Sequence, residues 1–300
     1  MVLPSDDTEV TYPRGDTRSS GRVLHREPHG EGRQAVLLDV TAAHPVDSAW
    51  PDQGPDRGTL TVGEAVLDLL DCVVGATDGS ALFVGADVPV RKGTPGWAFV
   101  AVHVVDASTP VEEGEEVQVE VDEAHRIALS VGHTACHLAS LALNAALADD
   151  WTKPVAPDAL GRPDFDALAI STSTITPDGS VDRYRVGKSL RKKGFAPARL
   201  DGAPDAVAAT IGSTLAGWVA GEAAARIEAE GPRLTDRRYW TTELDGRPVS
   251  IACGGTHAAA LSELRATSVT LELEPADGAL TLTMRTSARL PLTPPDAPRP

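Results

Sequence analysis

Two short strings constrain this chain more than any other feature: HTACH at His133–His137 and CGGTH at Cys253–His257. Each pairs two metal-type donors four residues apart. Together they offer three imidazoles and one thiol, a set suited to a tetrahedral zinc ion. With three cysteines and eight histidines in 300 residues, both pairs arise together by accident in about one sequence in fifty. Cys253 follows His137 by 116 positions, so a fold that serves one ion must bring distant segments together. Zinc fingers close over far shorter spans, because the metal there replaces a core. The wide separation is more like that of an enzyme's site, and one Zn2+ per chain is expected, held by His133, His137, Cys253 and His257.

The local sequence around each string predicts how the donors are presented. From Asp122 to about Ala148 no proline intervenes, Ala and Leu dominate, and Ile127, Val131, Leu138, Leu141 and Leu143 are compatible with a helix capped by Asp122. On a helix, His133 and His137 lie on one face. Gly254 and Gly255 allow a tight turn between Cys253 and His257 just past a strand end. Cys136 points about 100° away from His137 round the helix and reads as a buried structural thiol, as does Cys72.

The rest of the chain divides by pattern. Runs such as AVLLDV, TLTV, WAFVAVHVV and VQVEV lie between Gly, Pro and Asp clusters from residue 21 to residue 121, predicting a β-rich, barrel-like domain. An Ala-rich segment, Pro204 to Glu230, predicts a long, largely buried helix. RRYWTTEL and RPVSIA around Asp245-Gly246, and SVTLELE and ALTLTMR around PADG, predict two hairpins. Residues 122–290 thus read as helices packed on an antiparallel sheet, and the whole chain as α+β. Residues 1–20 and 291–300 read as disordered tails.

Composition limits the partners. The chain carries 43 Asp plus Glu against 27 Lys plus Arg, a formal net charge of −16, so a nucleic-acid partner requires a local basic patch. Arg183, Arg185, Lys188, Arg191, Lys192 and Lys193 place six cations within eleven residues. With Tyr184 and Phe195 alongside for stacking, this segment is the candidate RNA contact. Its GKS is no phosphate loop, since Asp182 occupies the position of the required glycine. HTACH lacks the glutamate of a metalloprotease HExxH, Thr134 standing in its place. Three widely spaced cysteines and a polar Met1–Arg18 predict a reducing cytoplasm. No apolar run approaches a membrane span.

HTACHL followed far downstream by CGGTH resembles the editing domain of alanyl-tRNA synthetase and its free-standing AlaX-type relatives. A related arrangement occurs in the editing domain of threonyl-tRNA synthetase. VEEGEEVQVEVDEAHR, DRGTL near Asp56 and RPVSIACGGTH extend the resemblance over roughly residues 22–290. The resemblance implies a small β-rich barrel followed by an α/β sandwich, with the four motif residues binding zinc. It implies hydrolysis, in trans, of the ester joining serine or glycine to alanine tRNA. Thr134 and Thr256, beside the ligands, are then candidates to orient substrate or water. Relatives carry an HPEGGGQP-like loop whose glutamine lies near the substrate. This chain reads HPVDSAWPDQGPDRG from His44 to Gly58, and Gln53 is the candidate for that glutamine.

Alternatives stay open at this point. Four protein ligands fill a tetrahedron, whereas hydrolytic zinc keeps a position for water. A non-catalytic zinc-stabilised module that binds tRNA or a protein, and a zinc hydrolase of small aminoacyl esters, both fit the same residues. The expected partner on the main reading is aminoacylated tRNA, with no membrane and no DNA. The oligomeric state is left open.

Overall fold

The computed structural model describes residues 3–276 and 278–288, so the tail expected at 291–300 lies outside the described residues. The chain is mixed α+β and strand-rich, with a curled antiparallel half-barrel sheet. In chain order, β1 (Glu9–Val10), β2 (Arg18–Pro28), β3 (Arg33–Leu38), β4 (Val40–Thr41), β5 (Gly58–Val62), β6 (Ala65–Leu69), β7 (Asp71–Thr77), β8 (Leu82–Val84), β9 (Ala98–Asp106) and β10 (Glu116–Val121) precede the long helix α1 (Glu123–Ala146). Then come α2 (Phe165–Ala169), β11 (Ile170–Thr176), β12 (Gly179–Val186), α3 (Lys188–Lys192), α4 (Ala198–Gly202) and α5 (Pro204–Ala220). Strands β13 (Arg226–Ala229), β14 (Arg238–Leu244), β15 (Arg247–Ala252), β16 (Ser268–Ala276) and β17 (Ala279–Ser287) follow.

By contacts the chain divides into two compact units. The first takes residues up to Ser130 together with Arg226–Thr241 and Ser250–His257. Its eight-stranded sheet runs β6-β5-β10-β2-β3-β9-β7-β8. Strand β10 shows why: in EVQVEV, Val117, Val119 and Val121 are buried while Glu116, Gln118 and Glu120 face water, the period-two pattern of a half-buried strand. In β9 every residue from Ala98 to Val105 is buried, and its side chains enter three apolar clusters, Ala101 and Val105 in one, Val100, Val102 and Val104 in another, and Phe99 in a third.

The expectation of a loose tail over residues 1–20 is corrected. Val10 and Tyr12 are buried with Val74, Phe99 and Leu234, β1 pairs in parallel with β4, and the Thr8 N–H donates to Phe99 O at 3.0 Å. Average polarity concealed an alternating Val-x-Tyr that docks. The boundary expected at 121/122 also moves, since the first unit extends to Ser130 and reclaims later strands. Arg126, in the first turn of α1, is bonded to Asp56 of that unit, which fixes the start of the helix there.

The second unit takes Val131–Ala225, Thr242–Val249 and the chain from Ala258. Its four-stranded antiparallel sheet runs β11-β12-β17-β16, with α5 packed on β16. The long helix expected to reach Glu230 ends at Ala220. Glu222 adopts a positive φ of 52°, and the Ala225 N–H turns to Ala259 O at 2.8 Å, so the chain leaves for β13. Only a stripe of Val207, Ile211, Leu215 and Trp218 is buried along α5. Both expected hairpins form: Asp245 and Gly246 have φ of 52° and 72°, as a type I′ turn requires, and β16 pairs with β17 along their length.

Candidate metal centre

Helix α1 begins as the sequence requires, Asp122 Oδ1 accepting the His125 N–H at 3.0 Å. One turn apart on it, the rings of His133 and His137 lie with centroids 4.9 Å apart. Past β15, His257 Nε2 lies 3.2 Å from Cys253 Sγ. One donor atom from each of the four residues falls within 4.8 Å of every other. Imidazole nitrogen and thiol sulfur at that spacing fit a metal ion, and their chemistry favours zinc over the hard, oxygen-seeking cations. Desolvation lowers His137 to a pKa of about 4, so its imidazole is neutral and able to donate a lone pair. Burial raises the Cys253 thiol to about 12, which only a neighbouring cation would reverse.

Four residues outside the ligand set fasten the CGGTH loop. Gln53, 1% exposed, reaches Thr256 with both ends of its amide: Nε2 donates to Thr256 Oγ1 at 2.9 Å and Oε1 accepts the Thr256 N–H at 3.0 Å. Ser130 Oγ donates to the same hydroxyl at 2.8 Å. Tyr12 Oη donates to Gly254 O at 3.2 Å, and burial raises that phenol to a pKa of about 12. The Trp240 ring lies 5.7 Å from that of His257. Tyr12, Ser130 and Trp240 were missed in the sequence. The signal for Tyr12 was the spacing of Val10 and Tyr12 in a polar segment.

Gln53 is itself held by a closed loop. Asp56 N–H donates to His44 O at 3.1 Å and the His44 N–H returns to Asp56 Oδ2 at 2.6 Å. The same carboxylate takes a buried bidentate contact from the Arg126 guanidinium through Nε at 2.8 Å and through Nη2. Arg126 Nη2 also donates to Ala42 O at 2.8 Å. A buried ion pair is tolerated only when its remaining hydrogen-bonding groups are satisfied in this way.

Thr134, fully buried, accepts the Ala258 N–H at 3.0 Å, so its hydroxyl ties α1 to the residue following His257. Cys136 stands outside the ligand group; its Sγ lies 3.4 Å from Asp182 Oδ1, and burial holds the thiol well above its ordinary value. Arg183, Arg185, Lys188, Arg191, Lys192 and Lys193 are all exposed. The stacking expected of Tyr184 and Phe195 is corrected: both are buried. Phe165 packs on each of them, at 5.6 Å and 5.0 Å between ring centroids. Alternation along β12 puts Tyr184 on the inner face and the two arginines outside.

Among the described residues, no helix is long and apolar enough to cross a membrane. No family model matches the chain, and no curated protein matches it.

Proposed function

We propose that the chain is a zinc-dependent aminoacyl-tRNA deacylase acting in trans in the cytoplasm on seryl or glycyl esters of alanine tRNA. On this reading its strand-rich first half is the small barrel and its second half the α/β editing sandwich. The observation that carries the reading is the convergence of His133, His137, Cys253 and His257, with all donors within 4.8 Å, from strings 116 positions apart. A zinc ion held by these four would supply Lewis acidity toward an ester carbonyl or a water. The protein's own contribution is to position. Thr256 Oγ1 accepts from Gln53 and Ser130, so its own proton is the part of that hydroxyl left to hold a substrate or water oxygen. Thr134 and Gln53 keep the ligand loop in register. The six exposed cations would bind the tRNA backbone.

A second reading has a specific observation in its favour. Both amide atoms of Gln53 are engaged by Thr256, and four protein donors complete a tetrahedron, as in a non-catalytic zinc-stabilised module. One experiment separates the two. Zinc-loaded protein is mixed with seryl-, glycyl- and alanyl-tRNA, with and without chelator. Chelator-sensitive loss of the seryl or glycyl ester is expected; no ester loss from any of these tRNAs would overturn the deacylase and leave the module.

A further inference from the structure

The ends of α2 and β12, with the start of α3, enclose an open cleft of about 500 Å³, lined among others by Leu168, Ile170, Arg185, Lys188, Ser189 and Ala279. Arg185 and Lys188 are exposed, and among the described residues neither forms an ion pair. Some exposed arginines elsewhere are paired, Arg18 with Glu120, Arg226 with Glu228 and Arg233 with Asp6; others among the described residues, such as Arg91 and Arg237, are not. Gly187 also lines the cleft, and a β-carbon there would stand 3.7 Å from Arg185 Nε and 3.5 Å from Ala279 Cβ, in ordinary van der Waals contact with both.

Two unpaired cations and a hydroxyl are the donors a phosphate group takes, the planar guanidinium matching its oxygens and the ammonium adding a point charge. The half-buried Leu168 and Ile170 form an apolar wall that a bare ion would not use but a nucleoside would. Charge continues on both sides, with Arg183 on the same face of β12 and Arg191, Lys192 and Lys193 following, as a strand of several phosphates requires rather than a single free nucleotide.

We propose that this cleft seats one nucleotide of an unpaired RNA strand, its phosphate on Arg185 and Lys188 and its nucleoside against Leu168 and Ile170. This rests on the tRNA reading of the basic segment. The probe is a short labelled single-stranded oligoribonucleotide, followed by fluorescence anisotropy on the full chain. Inorganic phosphate and adenosine monophosphate serve as competitors. Arg185→Glu/Lys188→Glu is compared with Lys192→Glu/Lys193→Glu, which changes net charge equally but lies outside the cleft lining, and with Gly187→Val, which adds bulk at the cleft lining without changing charge.

The cleft double variant is expected to weaken binding at least about tenfold more than the control double, with a smaller salt slope than wild type. Gly187→Val is expected to weaken it about tenfold at unchanged melting temperature, and adenosine monophosphate should compete better than inorganic phosphate. Equal losses in the two doubles, or full binding by Gly187→Val, would overturn the seat while leaving a diffuse tRNA contact intact. Failure of wild type to bind the RNA overturns the proposal as well. If the monophosphate alone then binds and Arg185→Glu/Lys188→Glu abolishes it, the cleft is a free-nucleotide site. Failure of the deacylase reading shows separately, as absence of ester hydrolysis.

Discussion

At the scale of single residues, the consequential choices concern polar groups that burial forbids to go unpaired. Gln53→Ala removes both hydrogen bonds from Gln53 to Thr256, leaving a buried N–H unsatisfied at a cost of about 1–3 kcal/mol. The variant is expected to melt several degrees lower and to hold zinc more weakly; a titration showing wild-type zinc affinity would contradict the clamp. Asp166 gives a test in pH. Burial raises it from 3.8 to about 7, with the Tyr184 hydroxyl opposing and Asp182 and Asp164 adding repulsion. Between those values the folded chain holds a proton that the unfolded chain has lost, so this group's contribution falls as pH rises from about 4 to 7 and stays lower above. His44 and His103, lowered to about 4 by burial, act with the opposite sign, favouring the folded state as pH rises toward their ordinary range. The informative quantity is therefore the difference: Asp166→Asn should gain stability relative to wild type between pH 5 and pH 8, and a constant difference would exclude the shift. The four donors that lie together were legible because donor type and spacing are local properties. Ser130 was not, because a hydroxyl bonding a residue more than 120 positions away leaves no trace in its neighbours; for Tyr12 the spacing from Val10 announced burial but not the bond to Gly254.

At the scale of elements, helix α1 was legible from its start at Asp122 to its Ala-Leu run, and both hairpins from their turns. What the sequence hid was how closely elements approach. Gly132 precedes His133, and a β-carbon on it would meet Thr176 O at 2.3 Å and Gly179 O at 2.6 Å, backbone atoms that do not yield as a side chain would. The helix can lie this close to the β11–β12 turn only because that position lacks a side chain. Gly132→Ala gains helix propensity of about 1 kcal/mol yet must push α1 off the turn, at about 1–3 kcal/mol or more. The expected outcome is net destabilisation in chemical denaturation together with reduced zinc content. A more stable, fully loaded variant would show that the contact is slack. The helix expected to reach Glu230 was overextended for a related reason: Ala-rich composition favours helix, but the hydrogen bond of Ala225 to Ala259 and the pairing of β13 with β14 override it.

For the molecule as a whole, the four donors come from strings 116 positions apart in the sequence. An ion bound to the folded chain and not to the unfolded one stabilises by mass action, about 2.7 kcal/mol when free zinc exceeds its dissociation constant a hundredfold. The chain nevertheless has extensive apolar clusters that involve none of the four ligands. It is therefore expected to remain folded without metal, unlike a zinc finger, whose folding free energy is largely that of metal binding. Adding chelator to the zinc-loaded protein should lower the melting temperature by several degrees while leaving a cooperative transition, and zinc should restore it. His257→Ala should show the lower temperature from the start and respond weakly to zinc, since one donor of four is gone. A melting temperature indifferent to zinc in the wild type would argue against the ligand group as a metal centre. Loss of all cooperative unfolding on chelation would instead mean that the apolar clusters do not hold the fold without the ion.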